Sequence, residues 1–142
     1  MAQFGFSGID DLILDLEAIA EIPNEVQAEM LEAQADITAA AQQRAGRAMG
    51  VEAPGSGVML RSIKKGKVKV QDGRNVIYVT PTGTRKRGRI RTRNAEIAFV
   101  NEFGKKHQKP RPFIRTGNEQ SAEEATGAAM AIYDRWLKSK NL

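Results

Sequence analysis

A chain of 142 residues with 22 basic and 17 acidic side chains, net +5, has room for one domain with a real core. It contains no cysteine, which excludes disulfides and thiolate metal sites and suits a reducing cytosol. No apolar run approaches the roughly 20 residues that cross a bilayer, and the first residues lack the basic-then-apolar pattern of a signal peptide, so a soluble protein without membrane contact is expected.

In chain order, Ser7 with Asp10 makes a capping box, and Ile9, Leu12, Ile13, Leu16 and Ile19 or Ala20 recur at helical spacing to about Glu21. Pro23 interrupts, and Asn24 with Gln27 opens a second helix with the apolar line Val26, Met30, Ala33, Ile37 and Ala40 or Ala41. It runs to Gly50, roughly 39 Å at 1.5 Å per residue, and its alanines permit close approach of another element. Core packing is the simpler expectation, a coiled-coil seam the alternative. Pro54, Gly55 and Gly57 mark a loop; its Gly-Ser-Gly lacks the Gly-Lys-Ser/Thr that a nucleotide site needs.

A β region over 58–80 follows. Ile63, Val68 and Val70 alternate with lysines, and Asp72-Gly73 turns the chain into Val76–Thr80, which predicts a hairpin. Lys65, Lys67 and Lys69 are placed on one face of its first strand, either as an anti-aggregation device or as a phosphate-binding face. The basic loop, 81–94, carries Arg85, Lys86, Arg87, Arg89, Arg91 and Arg93 without one acid. Such repulsion predicts a flexible loop or a protruding hairpin tip that orders on an anion. DNA phosphates supply one through counterion release, and a carboxylate-rich protein ring supplies another. A solvated loop without a partner is the third reading. No aromatic residue is interleaved for base stacking, which argues against sequence-specific reading.

Between Asn94 and Gly117 the chain reads as a joint. Ile97, Phe99, Val100 and Phe103 form the apolar side of an element, and Gly104 is the residue that turns left-handed without steric cost. Pro110 and Pro112 stiffen Lys-Pro-Arg-Pro-Phe into an extended strut anchored by Phe113. Glu102 is expected to pair with Arg111 or Arg115 and pin that strut. Thr116 with Glu119 then caps the last helix, 116–139, along Ala122, Ala125, Ala129, Ile132, Tyr133, Trp136 and Leu137. Tyr133 and Trp136 either close the core or anchor a neighbouring subunit.

Catalysis finds little to build on. His107 sits among Lys105, Lys106 and Lys109 with no evident partner for a nucleophile or a metal, and Glu96 with Glu102 reads as structural rather than as an acid–base pair. No catalytic residue, metal or cofactor is expected. Charge is strongly segregated: residues 1–60 come to −8, residues 61–117 to +14 and residues 118–142 to −1. A chain so polarised suits head-to-tail assembly of copies.

The run Glu102-Phe103-Gly104, a basic spacer, then Pro110-Arg111-Pro112-Phe113 and a helix resembles the tail-completion proteins of long-tailed bacteriophages and prophages, in the manner of the lambda-type minor tail protein Z group. Leu60-Arg61-Ser62-Ile63, at the head of the β region, is a second point of likeness, and the resemblance covers roughly the whole chain. Gly104-Lys105-Lys106-His107 departs from the small polar residue frequent there, and the loop before Asn94 is unusually basic. The fold expected is one α+β domain: a long N-terminal helix and a C-terminal helix on a small, mostly antiparallel sheet, with the basic loop projecting. The resemblance implies a non-catalytic virion protein of the neck, made in the bacterial host cytoplasm. It implies a ring, a hexamer matching a six-fold tail, between the head-closure protein and the tail terminator or tail-tube protein. The arginine loop would meet the adjoining ring or packaged DNA. The alternative is a nonspecific basic nucleic-acid-binding protein acting through Arg85 to Arg93.

Overall fold

A computed structural model of the chain describes residues 22–52 and 57–140. The helix expected over Ser7 to Glu21 lies outside the described residues. The fold is α+β. Helix α1 (Asn24–Met49) is followed by the short α2 (Val58–Arg61) and six short strands: β1 (Ile63–Lys65), β2 (Lys69–Gln71), β3 (Arg74–Val76), β4 (Val79–Pro81), β5 (Thr84–Arg87) and β6 (Ile90–Arg93). Helices α3 (Asn94–Phe103) and α4 (Phe113–Ser139) complete it. The strands pair as β1 with β4, β2 with β3 and β5 with β6, so the small sheet expected from the sequence is distributed over three two-stranded ladders. Residues 66–68 separate β1 from β2, so Lys65, Lys67 and Lys69 do not share one strand.

The chain divides into two compact units, each drawing on both long helices. The first comprises residues up to Ile37, Lys65–Tyr78 and Ser121 onward. Its core sets Met30 of α1 and Ile22 against Ala129, Ile132 and Tyr133 of α4. Trp136 is half-buried against this cluster, with its ring 6.1 Å from that of Tyr133. Arg135 and Glu29 form an ion pair between the helices. The β2–β3 hairpin has the register Lys69↔Val76 and Gln71↔Arg74. Its turn puts Asp72 at φ 52° and Gly73 at φ 75°, the two positive angles of the turn expected from Asp-Gly. Asn75 fastens the hairpin to the start of α1 by donating to Gln27 Oε1 at 2.9 Å and Asn24 Oδ1 at 3.2 Å. Asn24 is thus the first helical residue and serves the hairpin, while the first helical N–H groups donate to Pro23 O.

The second unit comprises Thr38–Lys64 and Val79–Gln120. Ala45, Met59, Leu60, Ile63, Ala98 and Phe113 are buried together, Phe113 completely. Within this unit α4 packs on α1 at Gly117, where a Cβ would lie 2.7 Å from Gln42 Cα; Gln42 Nε2 donates to Asn118 Oδ1 at 2.8 Å beside it. The buried face of α1 agrees with the apolar line read in the sequence at Met30 and Ala41 and departs from it elsewhere. Leu31, Gln34, Ala35, Thr38, Ala41, Gln42 and Ala45 are buried, while Ala40 is exposed and Ile37 only partly covered. Gln34, Thr38 and Gln42, four residues apart, hold the centre of that face, and α1 and α4 come close where Gly117 meets Ala41 and Gln42.

Candidate interaction surface

The second unit is organised by two inward carboxylates. Glu52, with its side chain only 4% exposed, accepts from Met59 N at 2.6 Å and Leu60 N at 3.3 Å. Those are the second and third residues of α2, whose N-cap, Gly57, has no side chain to offer. Glu102, buried at the end of α3, does the same for α4: Oε2 accepts from Ile114 N at 2.8 Å and Oε1 from Arg115 N at 3.0 Å. Pro112, just ahead of α4, has no side-chain acceptor either, so a carboxylate from another helix takes the capping role and sits where the helix dipole favours it.

This arrangement corrects three expectations. Glu102 binds backbone N–H groups rather than Arg111 or Arg115 side chains; Arg111 Nη1 donates instead to Gly50 O at 2.9 Å. The last helix starts at Phe113, three residues before Thr116, because the external cap makes the Thr116 box unnecessary. Thr116 N already makes a helical bond to Pro112 O at 2.9 Å. The third correction concerns α3, whose buried residues are Asn94, Ala98, Asn101 and Glu102. Phe99 and Phe103 point outward, 63% and 65% exposed, with ring centroids 4.8 Å apart. The polar residues go inward because neighbouring loops present unpaired backbone groups there. Asn94 Nδ2 donates to Thr82 O at 2.8 Å, the Glu102 carboxylate takes the first amides of α4, and Asn101 Oδ1 accepts from Gln108 Nε2 at 3.3 Å.

Gly104 closes α3 at φ 77° and donates to Val100 O at 2.8 Å. A side chain there would strike Gln108 O at 2.7 Å and Pro110 N at 2.9 Å, so the turn needs glycine for space as well as for φ. Lys105 and Gln108 pair across the following turn, and the Pro110–Pro112 segment returns Phe113 to the core.

The basic stretch is a β-hairpin, with Thr84↔Arg93, Arg85↔Thr92, Lys86↔Arg91 and Arg87↔Ile90 in register around Gly88-Arg89. Lys86, Arg91 and Arg93 share one face, and Lys86 directly opposes Arg91. Arg93 is balanced by Glu96 at 2.9 Å, and Arg85 reaches Glu52 at 3.7 Å. Ile90, at the tip, is 70% exposed. The backbone pairing holds the strands despite like-charge opposition, which is destabilising in itself.

Beside the hairpin and α3 lies an open cleft of about 560 Å³. Val51, Ile97 and Val100 supply its apolar lining, and Lys105, His107 and Arg111 its basic members; Thr92, Glu96, Asn101 and Gln108 complete it. Tyr133 and Trp136 belong to the other unit's core and are not part of this surface. Among the described residues no group of His, Cys, Asp or Glu is placed to hold a metal, and no helix is long and apolar enough to cross a membrane. The sequence reading missed the cleft and the outward phenylalanines; the signal available was the Asn94, Asn101 and Glu102 set, spaced to share one helical face. Comparison with protein families, curated proteins and solved structures finds no match to this chain.

Proposed function

We propose that this protein is a structural component of a phage neck, a subunit that joins head to tail by forming a ring between the head-closure ring and the tail terminator or tail tube. The observation that carries the reading is the direction of the carboxylates in the second unit. Its sequence has fifteen basic and four acidic side chains. Two of the four acids, Glu52 and Glu102, are buried as helix caps, and Glu96 is tied to Arg93. Apart from the exposed Glu119, what remains outside is cationic and carries an exposed phenylalanine pair, a surface suited to binding an acidic protein rim. The Glu102-Phe103-Gly104 and Pro-Arg-Pro-Phe residues, which carry the likeness to tail-completion proteins, form the joint that supports this surface. The mechanism is binding without chemistry, and similarity makes a hexamer the expected order.

A second reading has one observation in its favour. Lys86 and Arg91 face each other across the hairpin, and phosphates of DNA would relieve that repulsion through nonspecific contact. Light-scattering mass of the protein with tail tubes, with DNA-filled heads and with free DNA separates the two. Recruitment as a ring that survives moderate salt supports the neck; binding to free DNA alone, lost as salt rises, overturns it.

A further inference from the structure

The strongest unexplained feature is an open cleft, its lining mixed from Val51, Ile97 and Val100 with basic and polar residues, beside two exposed phenylalanines, in a chain whose first 21 residues contain five acids and no base. We propose that the cleft and the outward face of α3 bind the acidic Ser7–Glu21 segment of a second copy of this chain. The proposal deepens the neck reading by naming the partner of the surface, and its contact is with an identical subunit.

Size and chemistry match on both sides. Helix α3 has ten residues, roughly 15 Å at 1.5 Å per residue. The segment's helical spacing of Ile9, Leu12, Ile13 and Leu16 offers an apolar line of comparable length. Val51, Ile97 and Val100 provide an apolar lining for such anchors, and Phe99 and Phe103 extend it along the helix. Asp10, Asp11, Asp15 and Glu17 interleave the segment's apolar residues and would meet Lys105, Arg111 and the exposed Lys106 and Lys109. Glu96, the one acid lining the cleft, is already balanced by Arg93. Such a contact would lay an amphipathic sequence into a groove, with charges fixing partner and direction. Because donor segment and receiving cleft are different surfaces of the same chain, the contact is heterologous, and repeating it generates a ring if the rotation closes.

The test places a photo-crosslinking phenylalanine analogue at position 103 of the full chain, where the native side chain is 65% exposed, with circular dichroism checking that the fold is kept. Equal amounts of ¹⁴N- and ¹⁵N-labelled protein are mixed, irradiated and digested. The expected result is crosslinked peptides from residues 7–21, with mixed-isotope pairs as abundant as statistical mixing allows. A D10K/D11K/D15K variant should lose most of that yield, and adding K105E/K106E/K109E to the same chain should restore it. Crosslinks to other residues, or same-isotope pairs alone, which would place the segment on its own chain, overturn the proposal. The measurement uses purified protein only. Failed recruitment to tail tubes would sink the neck reading and leave the crosslink standing, while a failed crosslink alongside successful recruitment sinks this contact alone.

Discussion

The two units use their carboxylates in opposite ways. The segments of the first hold thirteen acids against seven bases, and its Glu29 and Asp36 are exposed and spent on ion pairs with Arg135 and Lys65. The second has far fewer acids, and two of them point inward at helix N-termini. Exposed ion pairs contribute little to stability, whereas a buried cap satisfies groups that would otherwise be stranded. The difference explains how a strongly basic unit can be well tied together while leaving its cations outward. It also separates residues that hold the molecule together from residues free to bind.

The comparison is tested most severely at the cores. Phe113→Ala should cost about 3 to 5 kcal/mol, because the ring is completely buried in the second unit. Trp136→Ala, half-buried in the first, should cost about 2 kcal/mol or less. Urea unfolding midpoints check both, and equal losses would mean that the tryptophan carries more than its burial indicates. Glu102→Ala should follow at about 3 kcal/mol for two orphaned N–H groups, with Glu102→Gln milder because one acceptor oxygen survives. Glu29→Ala, which removes an exposed pair in the other unit, should stay within about 0.5 kcal/mol.

Two glycines on α4 sharpen the contrast further. Gly117→Ala should destabilise by about 1 to 3 kcal/mol, since the new methyl meets the backbone of α1. Gly127 has open space around its Cβ position, and Gly127→Ala should stabilise by up to about 1 kcal/mol through helix propensity. Thermal melts of the pair should therefore move in opposite directions. A small effect is expected at Lys86→Glu, which turns a like-charge cross-strand pair into an attractive one and should stabilise by about 0.2 to 1 kcal/mol. The same change should weaken binding to an acidic surface, which a salt titration of the partner complex reads directly. Stability gained with binding lost would identify the opposed cations as kept for a partner.

Much of the architecture was legible because it rests on local chemistry. Pro23 before a helix, Asp72-Gly73 as a tight turn, Gly104 as a chain reversal and Phe113 as an anchor each depend on one or two residues, and each is found. What could not be read was which face of a helix turns inward when the choice depends on a distant segment. Helix α3 has Ile97, Phe99, Val100 and Phe103 in the pattern of a core face, yet Asn94 and Glu102 go inside because Thr82 O and the start of α4 need them. The face of α1 shifted in part because a distant segment sets it, with Gly117 of α4 seated against Ala41 and Gln42 and Gln42 bonded to Asn118. The cleft was hidden by the same reversal, since its lining combines α3 with Val51 and Arg111 from separate parts of the chain.

The reach of Glu102 across to α4 also sets a timetable for local opening. The first turn of a 27-residue helix ordinarily frays, and its amides exchange with solvent early. Here the Ile114 and Arg115 amides are held by a side chain on another helix, so they are released when α3 withdraws. Their exchange should keep pace with the amides inside α3, and a Glu102→Ala chain should let the head of α4 run ahead while the remainder of that helix stays slow.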